Sequence, residues 1–235
     1  MYGKYILRTE KKMSFIVAID GPAGSGKGTI TGKISKKLGL VNIGSGSAYR
    51  CVALSAIQQN IKPEETEKVI NLLEDINIEF KLEQGNDTVY LNGENVSKRI
   101  RETDVAKIVS PIASIKEVRI KLNDIFRKVA EGKEVIMEGR DIGTYVFPNA
   151  DVKIYLDATP EERARRRVKQ NEELGIKDTY EDILKNIKTR DSIDKGREMG
   201  ALKQAEDAIY IDSSNMSIEE VVEEVAKIIN NKRAK

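Results

Sequence analysis

The chain has 235 residues, enough for one substantial core with a small inserted subdomain. With 40% hydrophobic and 33% charged residues it reads as an ordinary globular protein, and its net charge of +2 gives no case for general affinity to nucleic acid. Histidine is absent, which excludes Ser–His–Asp and Cys–His catalysis and histidine-ligated zinc, while Cys51 is alone and excludes an intramolecular disulfide.

A lone cysteine fits a reducing cytoplasm, and Cys51 reads as a packed residue. No apolar run approaches the ~20 residues needed to span a bilayer. Chemistry must therefore run on lysine, arginine, carboxylates, hydroxyls and a metal ion. Residues 1–12 are polar and charged, with neither a signal-peptide pattern nor a periodicity, and are read as an N-terminal extension without a function.

Phe15–Asp20, five apolar residues in six, reads as a buried strand, and Ile30, Ile34 and Leu38 recur at helical spacing up to Gly39. Between them lie Gly21, Pro22, Ala23, Gly24, Ser25, Gly26, Lys27, Gly28 and Thr29. Strand, glycine loop and helix start form the context of a phosphate-binding loop: glycines let backbone N–H groups turn inward, the helix N-terminus favours an anion, and Lys27 reaches the outer phosphates. Gly28 stands where Ser or Thr usually binds magnesium directly, and Thr29 follows it. Gly-Lys-Gly-Thr resembles the loop of nucleoside monophosphate kinases.

Val41–Ile43 predicts a short strand, and Gly44–Arg50 a turn into a helix carried on by Val52, Leu54 and Ile57. Arg50 is either a surface residue or, since it opposes the dipole near that helix start, a ligand for an anion. Pro63–Asp75 predicts a short helix. Alternation over Ile78–Glu83 and Thr88–Leu91, with turns at Gly85–Asp87 and Asn92–Gly93, predicts a small antiparallel sheet. Asp104–Val109 predicts a helix stopped by Pro111, and Ile115–Glu131 a longer one closed by Gly132.

Glu134–Glu138 and Val152–Leu156 predict core strands flanking Gly139-Arg-Asp-Ile-Gly-Thr144. Thr159–Glu162 reads as a capping box opening a helix with Arg163, Arg165, Arg166 and Arg167, which cannot all share one face. Tyr180–Ile193, a strand at Ala208–Ile211 and a final helix capped by Ser217 and Glu220 complete the chain. Strands alternating with helices predict an α/β fold, a doubly wound parallel sheet of about five strands.

Phosphoryl transfer needs positioning and positive charge. Lys27 supplies one charge; the arginines at 163–167, Arg190 and Arg197 offer more, on helices able to fold down as a lid. Glu138 ends a strand where ligands of open α/β sheets gather and can hold magnesium directly or through water. Asp141, adjacent to Arg140, suits the exocyclic amine of cytosine and not the carbonyl of uracil. A phosphate acceptor is already anionic near neutrality and needs no general base, which favours it over a hydroxyl acceptor in an arginine-rich, histidine-free chain.

From Ser14 to the last helix the sequence resembles the bacterial cytidylate kinases. The resemblance is carried by Ile19–Thr29, Ser45-Gly46 with Tyr49-Arg50, Ile100-Arg101, Gly139–Thr144 with Val146–Pro148, and Asp157 with Glu161–Arg163. It implies a CMP/dCMP kinase using ATP and magnesium, monomeric and cytoplasmic, without a membrane or nucleic-acid partner. Residue by residue it implies Ser45 and Arg50 at the monophosphate, Arg140 and Arg197 as further phosphate contacts, and Ser110, Arg119 and Asp141 at the base. Arg190 and Asp194 fall on the sugar side, and Arg163 and Arg167 at lid positions near ATP. The catalytic set is then Lys27, Arg140, Arg163, Arg167 and Arg190, with Thr29 and Glu138 toward the metal. One domain is expected over 13–235: core 13–44, 111–158 and 198–235, a monophosphate-binding insert at about 45–110 and a lid at about 159–197. The family commonly has Asp where this chain has Gly44. Rival readings are a kinase for another monophosphate or a small hydroxyl acid, and a non-catalytic nucleotide switch. A switch would want Ser or Thr after Lys27 and a guanine-reading Asn-Lys-x-Asp stretch, and the sequence has neither.

Overall fold

A computed structural model describes residues 14–173 and 177–234; the proposed extension 1–12 lies outside them. In chain order the strands are β1 (Phe15–Asp20), β2 (Val41–Gly44), β3 (Ile78–Glu83), β4 (Asn86–Leu91), β5 (Glu94–Asn95), β6 (Glu134–Gly139), β7 (Val152–Asp157) and β8 (Ile209–Asp212). The helices are α1 (Lys27–Leu38), α2 (Ser45–Gln58), α3 (Thr66–Asp75), α4 (Thr103–Ser114), α5 (Lys116–Ala130), α6 (Pro160–Glu173), α7 (Tyr180–Lys195) and α8 (Ile218–Arg233).

Five strands form a parallel sheet in the order β2-β6-β1-β7-β8. Alternate residues of β1 feed two cores. Val17 and Ile19 pack with Ile30 and Ile34 of α1 and Val221 and Val225 of α8. Ala18 faces the other way, with Val52 of α2, Ile112 of α4 and Leu122 and Phe126 of α5. Each fully buried aliphatic side chain contributes roughly 1.5–3 kcal/mol. Helices on both faces leave the carboxyl ends of the strands as the open edge, where the chain turns from β1 toward β2 on one side and from β6 toward β7 on the other. The predicted doubly wound sheet is the one observed.

The antiparallel sheet β3-β4-β5 is also present, with a tighter first turn than expected. Asn86 and Asp87 already belong to β4, and Gln84 and Gly85 at positive φ make the turn. Asp87 accepts hydrogen bonds from Ser35 Oγ of α1 (2.8 Å) and Asn42 Nδ2 of β2 (2.7 Å), so the hairpin is pinned to the main sheet.

Four local expectations need correction. The small residues Ser45–Ser47 open α2 directly; no turn precedes it. Pro63 lies outside α3, which begins at Thr66. The Thr159 box is half formed: Thr159 Oγ1 accepts the Glu162 N–H (3.2 Å), but the Thr159 N–H donates to Ser214 Oγ (2.9 Å), and Glu162 turns to Arg165 and Arg166. Most informative, Pro111 does not stop a helix. It sits inside α4, because Val105 and Ile112 are both fully buried on one side and tertiary packing outweighs the lost N–H. Pro111 itself is exposed, and its carbonyl accepts Ser114 Oγ at 2.6 Å.

Pro111→Ala should restore that helical hydrogen bond and raise stability by about 1–2 kcal/mol. Thermal and denaturant unfolding would show it; an unchanged or lowered midpoint would mean that the ring itself packs usefully.

Candidate active site

The loop after β1 is shaped by Gly21, Gly24 and Gly26, whose positive φ angles side chains rarely adopt. Gly21 has φ +152°, and a Cβ there would overlap the Leu156 carbonyl of β7. Gly26, at φ +90°, turns the chain into α1, whose first-turn amides have no intrahelical acceptor. Lys27 is buried, and its Nζ donates to Pro22 O (2.6 Å) and Ser25 Oγ (3.2 Å) inside the loop. Burial pushes its pKa down to about 7, with Arg140 acting in the same direction and Glu138 and Asp20 opposing.

At the end of β1, Asp20 accepts the Ile142 and Gly143 N–H groups, each at 2.7 Å. This carboxylate is 4% exposed, and burial raises its pKa to about 6 against those two hydrogen bonds. The bonds fold Ile142–Val146 into a wide π-type turn and fix the preceding Arg140 and Asp141. Asp141 is 7% exposed and accepts Arg119 Nη2 of α5 at 3.1 Å. Its pKa is raised by burial, opposed by Arg119 and Arg197. Arg119 Nε is buried without a hydrogen-bond partner among the described residues. Gly200 covers the pair at φ +67°; a Cβ there would overlap Asp141 Oδ2 and Arg119 Nη2.

Beside this pair, Asp194 near the end of α7 gathers arginines. Its carboxylate accepts a hydrogen bond from Arg140 Nε (2.9 Å) and pairs ionically with Arg197 Nη2 (2.8 Å), with Arg190 Nε at 4.0 Å. Arg190 itself is mostly exposed. Ser45 Oγ donates to Glu138 O (2.9 Å), and Arg50 Nη1 to Ile100 O (3.1 Å). Ser110 is exposed on α4. At Gly44 a Cβ would press on Ser47 Oγ at 3.0 Å, so a larger residue there would need Ser47 to move.

A cavity of about 830 Å³ opens between the phosphate loop, α6, α7 and the turn from β8 into α8. Ala23–Gly26 and Thr29 line it from below, and Arg163, Arg166, Arg167 and Arg190 from above. The four arginines of α6 divide as their spacing demands. Arg165 points to solvent, Arg167 is exposed beside Gln170, and Arg166 bonds Ser213 O (2.6 Å). Arg163 is buried and bonds Asp191 of α7, Ala158 O and Ala23 O.

Toward a metal ion the residues fit in one limited way. Thr29 lines the large cavity, whereas Glu138 lines a smaller one of about 190 Å³ with Gly28 and Gly44, so the two are not brought into one cavity. Both Asp20 oxygens are taken by amides. Among the described residues no three His, Cys, Asp or Glu side chains converge as a metal site. A magnesium ion, which keeps several waters and binds through phosphates and one or two protein oxygens, suits such a surface; a fully protein-liganded ion does not.

Sequence reasoning missed Asp20, Asp191 and Gly200. Asp20 stood directly before the loop at a strand end, a position that could have drawn notice; Gly200 and Asp191 carried no local signal.

The family model described as Cytidylate kinase matches residues 17–231. A protein named cytidylate kinase from Caldicellulosiruptor saccharolyticus is 47% identical over 212 residues, covering 90% of this chain and 94% of that protein. One of the same name from Clostridium acetobutylicum is 46% identical over 220 residues, covering 94% of this chain and all of the relative. The solved structure of an uncharacterized protein from Eubacterium ventriosum aligns at a TM-score of 0.51 and 12% identity, over 93% of this chain and 99% of that one, a likeness of fold alone.

With its pKa near 7, Lys27 is mostly neutral at pH 8, and a triphosphate beside it would favour the charged form. Triphosphate binding at pH 8 should therefore take up about one proton. Calorimetric titration in buffers of different ionisation enthalpy measures this uptake; if Lys27→Met retains it, the proton goes elsewhere.

Proposed function

The chain belongs to the cytidylate kinase family, and on that premise we propose that it transfers the γ-phosphoryl group of ATP to CMP or dCMP, giving CDP or dCDP and ADP. One observation carries the choice of base: a buried carboxylate, Asp141, beside the partly buried guanidinium of Arg119, whose buried Nε has no partner among the described residues. Cytosine presents an amine donor next to a ring-nitrogen acceptor, and this acceptor–donor pair complements it. Uracil would set its carbonyl oxygen against the Asp141 carboxylate, acceptor against acceptor in a buried setting, which such sites reject strongly. The same reading assigns Ser110, exposed on α4, to the base as well.

The donor triphosphate lies along Gly21–Thr29, where main-chain amides and the N-terminus of α1 take its negative charge. Lys27, released from Pro22 O, turns to the transferring phosphate. Arg50, Arg140 and Arg197 hold the acceptor phosphate, Ser45 borders it, and Asp194 with Arg190 faces the sugar. Arg167 overhangs the donor cavity from α6. Thr29 would face magnesium carried by the donor phosphates, and Glu138, in the neighbouring cavity, would reach the ion only through water; the ion would neutralise charge on the phosphates when bound. Because the acceptor is already anionic, no general base is required, and α6 with α7 closing as a lid would exclude water. The same reading expects a monomer working in the cytoplasm. Among the described residues no helix is long and apolar enough to cross a membrane.

Purified protein given ATP and a panel of CMP, dCMP, UMP and AMP should form ADP fastest with the cytidine nucleotides; equal rates on UMP or AMP would defeat the base assignment. Asp141→Ala should lower kcat/KM for CMP by about 100-fold or more and narrow the gap to UMP. Gly200→Ala, which pushes the Asp141–Arg119 pair apart, should raise KM for CMP about 10-fold and leave KM for ATP within about 2-fold. Steady-state kinetics with each substrate varied separates the two constants, and an equal rise in both would point to general damage.

A further inference from the structure

Helix α7 carries two carboxylates one turn apart, and each holds arginine, but at opposite ends of the site. Asp194 gathers Arg140, Arg190 and Arg197 on the acceptor side. Asp191 binds Arg163 through both oxygens, Nη1 to Oδ1 at 3.1 Å and Nη2 to Oδ2 at 2.6 Å. Arg163 in turn donates Nη1 to Ala23 O in the phosphate loop (3.0 Å) and Nε to Ala158 O at the end of β7 (2.9 Å). The loop also rests on it at Gly24, where a Cβ would meet Arg163 Cβ at 3.3 Å. The side chains of the pair are 3% and 13% exposed.

This geometry leaves Arg163 little capacity to touch a phosphate. Four of its five N–H donors are committed to protein oxygens, its charge is neutralised by Asp191, and breaking a buried pair leaves an uncompensated charge. What it can do is transmit position. A bidentate guanidinium–carboxylate contact fixes direction as well as distance. The loop carbonyl and α7 are thus held in register through one planar group, and the same rigid helix sets Asp194 a single turn further on.

We propose that Arg163 and Asp191 form a positioning bridge that couples the occupied phosphate loop to the acceptor arginines around Asp194, so that donor and acceptor nucleotides bind cooperatively. Neither residue contacts substrate. The inference rests on the kinase reading and adds to it a mechanism linking its two nucleotide sites.

The test is the affinity for CMP measured by calorimetry, alone and with a saturating non-hydrolysable ATP analogue and magnesium. The wild-type protein should bind CMP at least about 5-fold more tightly with the analogue, the lower range of ordinary site-to-site coupling. Asp191→Asn should bring that ratio to within about 2-fold of unity while each nucleotide alone binds within about 3-fold of wild type. A retained ratio in folded Asp191→Asn overturns the proposal, as does a wild-type ratio of one. So does a variant whose only change is a lower melting temperature, since that describes a structural staple. If Asp191→Asn fails to fold, the double variant Arg163→Met with Asp191→Leu replaces the pair by apolar side chains of similar size, a change that buried ion pairs often tolerate, and the same ratio decides. Wild-type turnover of ATP with CMP checks the kinase reading separately. An active wild type with uncoupled sites sinks the bridge alone, and a wild type inert on every monophosphate sinks the reading.

Discussion

The rest of the site depends on the Asp20 carboxylate and the two amides it accepts. β1 and β6 are neighbours, and Asp20 is paired in register with Gly139, so the phosphate loop and the Arg140–Asp141 turn leave the sheet side by side. Nothing in strand pairing alone would stop the second turn from swinging outward. Hydrogen bonds from Ile142 and Gly143 close it back onto β1, and bonds to a charged acceptor are worth about 1.5–3 kcal/mol each. Burial still raises the Asp20 pKa to about 6, so the arrangement is held at a real desolvation cost. Its return is geometric, because one side chain sets the distance between the two substrates' pockets.

The electrostatics around this anchor are balanced by the protein's own side chains. Asp20 is pushed up and Lys27 down, each chiefly by burial. Asp194 and Asp141 neutralise the arginines of the acceptor side, and Asp191 neutralises Arg163. Incoming phosphates therefore meet positive groups whose present partners are carboxylates and carbonyls at hydrogen-bond distance. In the proposed reading, binding would exchange the partners of the arginines around Asp194 and would not have to assemble charge from solvent. That is the preorganisation phosphoryl transfer requires, where positive charge must already stand at the moving group.

The donor half of this site could be read from the chain because it is local. Fifteen consecutive residues, Phe15–Thr29, hold a strand, a glycine turn and a helix start, and each element has its own sequence pattern. The alternating strands of the insert and the Ser217–Glu220 capping box, which forms completely, were legible for the same reason. Pro111 misled because local chemistry argued for a stop while burial of Ile112 in the tertiary core argued for continuation, and the core prevailed. Gly200 was invisible because what fills the space above it, the Asp141–Arg119 pair, comes from segments roughly 60 and 80 residues away in the chain. Arginine counting along α6 gave charge without direction: Arg163 faces inward to Asp191 while Arg165, two residues on, faces water.

Donor and acceptor ends thus use different physical devices, and the difference reaches into how firmly each is held. The donor loop is main chain, fixed by φ angles that only glycine adopts and by the two buried faces of β1. The acceptor arginines of the proposed site come from α2, the turn after β6 and the segment after α7, and their positions are tertiary throughout. Helices α6 and α7 share only a small buried cluster of Ala164, Ile183 and Ile187, far less than the two main cores. Elements with little buried apolar contact open at low free-energy cost. Their docking onto the sheet must therefore lean on polar contacts such as Arg163 to Ala23 and Arg166 to Ser213. A scaffold held by hydrocarbon and a cover held by polar contacts let the cover move without loosening the β1 core beneath it.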